Sequence, residues 1–192
     1  MTDSLVLDTL KRARFQQILD TISIDPTTIY RLLRAFKAQK KISVAHNHVI
    51  RNLEPLSELS DLKELDMSFT LIDDLTPIRN LNKLEILSME GCPVSSLQAV
   101  RYLSALKELN CSTTQIGSLE VLENLTGLIE LNLTAVPFVE SAPLSKLSNL
   151  KHLNLSSTHP TDFMGISALK SLTDLNLSSS SISHLSALSQ LI

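Results

Sequence analysis

The chain has 192 residues, with 17 Lys and Arg against 20 Asp and Glu for a net charge of −3, 43% hydrophobic residues, only 4% aromatics and no Trp. This composition predicts a soluble globular chain whose core is built from Leu and Ile rather than large rings, and no apolar run approaches the length of a membrane span. Its four glycines, Gly91, Gly117, Gly127 and Gly165, are too scattered to form a phosphate-cradling loop.

The first fifty residues differ in kind from the rest. Leu7, Leu10, Arg14, Phe15, Ile18, Leu19 and Ile22 fall near one stripe at helical period. Asp25-Pro26 supplies an N-cap with proline at the first helical position, and a second helix over about 26–40 aligns Ile29, Leu32, Leu33 and Phe36. Residues 1–51 hold nine Lys and Arg against four acids, a charge of +5, while the remainder carries −8. A basic two-helix segment suggests a surface for acids or nucleic acid. Two helices without the usual turn glycine do not complete a helix-turn-helix, however, so the basic side chains are read as a solvated face and nucleic acid as an improbable partner. The start MTDSLVLDTLKRARF lacks the features of a secretory signal, which makes cytoplasmic residence the expectation.

From residue 46 onward one period dominates. Leu62, Leu84, Leu106, Leu128, Leu150 and Leu172 stand 22 residues apart. Counting each as position one, positions four and six are again apolar, as in Leu65/Met67 and Leu153/Leu155, which puts both side chains on one face of a short strand. Beyond a turn the apolar positions advance by three, as in Ile116, Leu119, Leu122 and Leu125, a spacing suited to a tight helical or 3₁₀ return. Ile50, Leu53, Leu56 and Leu59 extend the register backward as a half unit, whose strand positions, Ser43 and Ala45, look degenerate.

The phrase Leu62-x-x-Leu65-x-Met67-x-x-Thr70-x-Ile72 and its successors resemble the leucine-rich repeat pattern L-x-x-L-x-L-x-x-N/C-x-L. The unit length, with Thr70–Leu81 reading TLIDDLTPIRNL, is similar to the 22-residue class of bacterial internalins and of a protein phosphatase 1 regulatory subunit. The resemblance implies an α/β fold: a right-handed solenoid with a parallel strand ladder on the concave face and short helical or 3₁₀ segments on the convex face. Residues 1–45 would then form a helical N-terminal cap over the first repeat, and 46–192 the solenoid, one degenerate half repeat followed by six repeats. The family's usual Asn at position nine is replaced by Thr70, Cys92, Thr114, Val136, Thr158 and Ser180.

Two units are irregular: Val136-Pro137-Phe138 precedes Ser141 where an apolar residue is expected, and Pro160 precedes Phe163. A convex side that bends or widens around 136–163 is expected. Cys92 and Cys111 fall on inward positions and are read as buried, reduced thiols. N-x-S/T sequons begin at Asn110, Asn124, Asn132, Asn154 and Asn176; glycans on them would crowd the strand face, an argument against a eukaryotic secretory route.

The same register lists the residues that point outward from the strands. Position three holds Glu64, Ile86, Glu108, Glu130, His152 and Asp174; position five Asp66, Ser88, Asn110, Asn132, Asn154 and Asn176; position seven includes Glu90. The charged and amide members of this set are the candidate partner-binding residues of a non-catalytic protein-interaction module, and their acidity favours a partner with a basic surface. No cofactor, metal or catalytic site is expected: His46 and His48 lack a third ligand, and the neighbouring carboxylates Glu108 and Glu130 would sit on an open, wet face. Two other roles fit the same residues. The chain ends in register at Leu191-Ile192, so its C-terminal edge could self-associate in a structural or assembly role, and the internalin resemblance admits a secreted bacterial effector.

Overall fold

The computed structural model describes residues 39–182 and Leu188. Seven three-residue strands form one parallel sheet in sequence order: β1 (Lys41–Ser43), β2 (Glu64–Asp66), β3 (Ile86–Ser88), β4 (Glu108–Asn110), β5 (Glu130–Asn132), β6 (His152–Asn154) and β7 (Asp174–Asn176). Each of β1 to β6 is followed by a turn and a 3₁₀ segment on the opposite side, from Glu54–Leu56 to Met164–Ala168. The return is 3₁₀ because its apolar side chains recur every third residue, which at three residues per turn keeps them on one side. Proline sits in the first turn of the segments Glu54–Leu56, Thr76–Ile78 and Ala142–Lys146, where its missing N–H forfeits no helical bond.

Between strands and returns runs a single core. Position one (Leu62, Leu84, Leu106, Leu128, Leu150) and position four (Leu65, Leu87, Leu109, Leu131, Leu153) are at most 2% exposed. Each such leucine contributes about 1.5–3 kcal/mol by leaving water, and stacking identical positions repeats that gain in every unit. Leu172, Leu175, Leu177 and Ile182 pack against the core but stay partly exposed, since β7 has a described neighbour on one side only.

The expected two-helix cap over 1–45 lies largely outside the described residues. The described end of that stretch is corrected: Lys41–Ser43 is a strand, and the ladder begins ahead of residue 46. Its inward side chains are Ile42 and Val44, each 5% exposed, rather than Ser43 and Ala45. The reason is one extra residue in the turn. Asn47 occupies position nine and Ile50 position eleven, with His48 and Val49 between them, where Thr70 and Ile72 enclose only Leu71. The family's Asn is thus present in this first unit: Asn47 is buried, and its Oδ1 accepts the N–H groups of Val49 (3.1 Å) and Ile50 (3.3 Å). In later units Thr70, Thr114 and Thr158 instead donate to the position-six carbonyl of their own turn, at 2.6–2.7 Å. Cys92 crosses units, its thiol donating to the Met67 carbonyl (3.0 Å).

Around 136–163 the convex side departs from regularity in two ways. A groove of about 350 Å³ opens between Gly117–Glu123 and Val139–Pro143. One unit later the segments close up: Ser141 is fully buried, its hydroxyl donates to Asp162 Oδ1 (2.8 Å) and accepts the Gly165 N–H (3.1 Å). The polar residue in an apolar position is therefore satisfied by its neighbour unit.

Candidate functional site

The strand register brings the position-three side chains into one row, in the order Lys41, Glu64, Ile86, Glu108, Glu130, His152 and Asp174. From β3 to β7 the face is a trough of about 610 Å³ lined by positions three, four and five of each strand. Adjacent rungs lie about 4.8 Å apart, so neighbouring charges interact strongly.

The acids at the N-terminal end of the face each have a partner within the chain. Lys41 pairs with Glu64. Asp66 accepts the Ser68 N–H (3.0 Å) and the Ser43 hydroxyl (3.2 Å). Glu90 accepts an N–H from the Asn110 carboxamide (3.2 Å). At the C-terminal end His152 stands between two acids, its Nδ1 2.8 Å from Asp174 and its Nε2 3.9 Å from Glu130.

Glu108 is left in the middle. Among the described residues no lysine or arginine forms an ion pair with it, and it faces Ile86 on one side and Glu130 on the other. Partial burial, then the charges of Glu130 and Glu64, hold its carboxyl above the ordinary range.

Asn110, Asn132, Asn154 and Asn176 form an unbroken ladder, but their oxygens are already used. Each Oδ1 accepts the N–H two residues on, at 2.9–3.0 Å, from Ser112, Thr134, Ser156 and Ser178. These bonds hold the turn into the left-handed residue at position eight, so the Asn side chains shape the trough through their oxygens.

Sequence reasoning missed a second charge row at position two. Glu85 is paired with both Lys63 and Lys107 (2.6 Å), and their ammonium groups, Lys107 first, pull its carboxyl down from 4.5 to about 2. The signal was present as Lys63, Glu85 and Lys107 at intervals of 22. Also missed was the stacking of His46 on Phe69, with ring centroids 4.8 Å apart and planes 11° from parallel. Among the described residues no group of three or more His, Cys, Asp or Glu is arranged to hold a metal. Cys92 and Cys111 are free and buried, and burial pushes the Cys111 thiol well above its usual range, leaving an unreactive thiol.

One strand per 22-residue unit, a parallel ladder in sequence order and a 3₁₀ return on a leucine period define the architecture: the chain has the leucine-rich repeat fold. Its structure is similar to internalin C2 from Listeria monocytogenes, with 25% sequence identity and a TM-score of 0.79 over 87% of this chain and 80% of that one. It is similar also to a leucine-rich repeat protein from Leptospira interrogans, with 27% identity and a TM-score of 0.77 over 86% of this chain and 43% of that one. A third likeness is to the ectodomain of the plant membrane receptor kinase GASSHO1/SCHENGEN3 from Arabidopsis thaliana, in complex with CASPARIAN STRIP INTEGRITY FACTOR 2. There identity is 29% and the TM-score 0.59, over 68% of this chain and 17% of that one. No protein-family model and no curated protein sequence matches the chain. No helix among the described residues is long and apolar enough to cross a membrane. The expectation of cytoplasmic residence gains nothing from these likenesses, one of which is an ectodomain.

Proposed function

We propose that the chain is a non-catalytic protein-interaction module that receives a basic surface of its partner in the trough of the strand face. The observation that carries this reading is Glu108 beside Glu130, two carboxylates side by side in a row whose other N-terminal acid, Glu64, already has its lysine. Burial first, and then the charges of Glu130 and Glu64, raise the Glu108 carboxyl; a partner cation there would offset those charges and would steer the encounter. Ile86 offers the aliphatic stem of such a residue an apolar rest. The likeness to a receptor ectodomain solved with a bound factor supports an interaction role for the fold.

The test is capture from the cells of origin with the wild-type chain and with Glu108→Lys/Glu130→Lys as baits. The partner is expected to bind the wild type, more weakly as salt rises, and to lose about tenfold or more in affinity to the double variant. Retained binding by the double variant overturns the assignment of this face. The likeness to internalin C2 favours a second reading, an effector acting outside the cell that makes it, through the same trough and with extracellular proteins as bait targets. Self-association through the C-terminal edge rests on residues that lie, Leu188 apart, outside those described.

A further inference from the structure

Position eight of every unit is left-handed, with φ between 54° and 65°. That region suits glycine, which only Gly91 supplies among the described units; His46, Thr113, Ala135, Ser157 and Ser179 take it with a Cβ. Phe69 places the largest apolar ring there, at φ 57°. Its ring stacks on His46 and also covers Gly91, where a Cβ would lie 2.7 Å from the ring edge. The three residues thus form one arrangement that fixes the ring at the rim, and 37% of Phe69 remains exposed. At position ten the neighbouring turns add Val49 (61% exposed) and Leu71 (36%), held side by side by the Leu71 N–H on the Ile50 carbonyl (3.3 Å). Of the six large exposed apolar residues among those described, three lie in this one place, and the equivalent positions further along carry Pro93, Gln115, Pro137, His159 and Ser181.

Carboxylates border the patch on both sides. Asp66 and Glu90 lie toward the strands, and Asp73 and Asp74 follow Leu71 on the way to the convex side. Hydrogen bonds from Thr76 keep the Asp74 carboxyl below its ordinary range, so it stays charged. The nearby Lys41, Lys63 and Lys83 are engaged with Glu64, Glu85 and Asp61, and among the described residues the one cation on this border is Arg51, which follows Ile50 at the place that Asp73 takes in the next unit. We infer that this rim, His46, Val49, Phe69 and Leu71, docks an extended segment of a partner protein that carries an apolar side chain flanked by lysine or arginine. The apolar side chain would rest on a ring that needs no ordering, and the flanking cations would meet the bordering acids. This rests on reading the chain as an interaction module, but it uses a surface separate from the trough.

The experiment pans a phage-displayed random peptide library on the intact chain and remeasures the enriched peptides, as synthetic probes, against variants. Sequences with an apolar residue between basic ones should be enriched, and Phe69→Gly/Leu71→Ser should weaken them about tenfold or more. Glycine suits the left-handed position, so the variant should keep the wild-type circular dichroism. Should it unfold instead, Asp73→Lys/Glu90→Lys reads the same contact by charge and should weaken the same peptides. An absence of apolar-basic enrichment, or peptides that bind both rim variants as tightly as the wild type, overturns the inference. Peptides lost only with Glu108→Lys/Glu130→Lys overturn it too, while supporting the trough. Concentration-dependent self-association of the wild type that Phe69→Gly/Leu71→Ser abolishes would instead make the patch an interface between copies and refute a partner segment.

Discussion

Gly165 stands so close to Ser141 that a Cβ built on it would lie 1.9 Å from the Ser141 carbonyl oxygen. The contact is with backbone, which cannot move aside as a flexible side chain can. Gly165→Ala should therefore destabilise the chain by about 1–3 kcal/mol as the two units are forced apart. Gly117→Ala is the matched control, because a Cβ there meets nothing within 4 Å. It should be neutral or stabilising by about 0.4–1 kcal/mol through the unfolded chain. Urea unfolding of both variants checks the pair; equal stabilities would mean that the units of β5 and β6 are not in close contact.

Thr113 is β-branched, yet its φ is 54°. The left-handed region costs an ordinary residue about 1–2 kcal/mol and Asn much less. Thr113→Asn should raise stability by about 1 kcal/mol, even though the exposed Thr113 hydroxyl gives up its bond to the Ser112 carbonyl (2.8 Å). Thr113→Gly should gain less, because glycine loses more chain entropy on folding. Thermal unfolding of the two variants decides the order.

Two carboxylates should give opposite pH signatures. Glu85 is pulled down to about 2 by Lys107 and Lys63, so its ion pairs stabilise the fold above the ordinary 4.5. That contribution fades as pH falls from 4.5 toward 2, and the difference between wild type and Glu85→Gln should vanish over that window. It should also shrink in high salt, since the pairs are largely exposed. Glu108 is held up by burial and by Glu130, so the fold favours its neutral form and ionisation costs stability. Glu108→Gln should therefore melt higher than wild type at neutral pH, with the advantage disappearing in acid. Melting temperatures from pH 2 to 8 test both signs; a destabilised Glu108→Gln at pH 7 would contradict the reading of the trough.

The regular part of this architecture was legible in the sequence because the leucines repeat without slippage from Leu62 to Leu172, so each outward residue could be placed in advance. The first unit was not legible, since Ile42 pairs with Leu65 across 23 residues, whereas Leu65 pairs with Leu87 across 22. One added residue reverses the apparent face of a strand, which made Ile42 and Val44 look outward. The same slip hid the stacking of His46 on Phe69 and the position-nine role of Asn47. The candidate site was legible as a row of residue types but not as a pattern of compensation. That Lys41 neutralises Glu64, that the Asn oxygens are consumed by their own turns, and that Glu108 stays uncompensated depend on side-chain reach across rungs.

The central claim is that a partner sits in the trough over Glu108 and Glu130. Carbodiimide labelling of carboxylates, read residue by residue with and without the captured partner, tests it most directly. The account predicts that Glu108 and Glu130 lose label in the complex while Glu120, Glu123 and Glu140, along the convex groove, label as before. Unchanged labelling of Glu108 and Glu130, with protection at Glu120, Glu123 and Glu140, would contradict it.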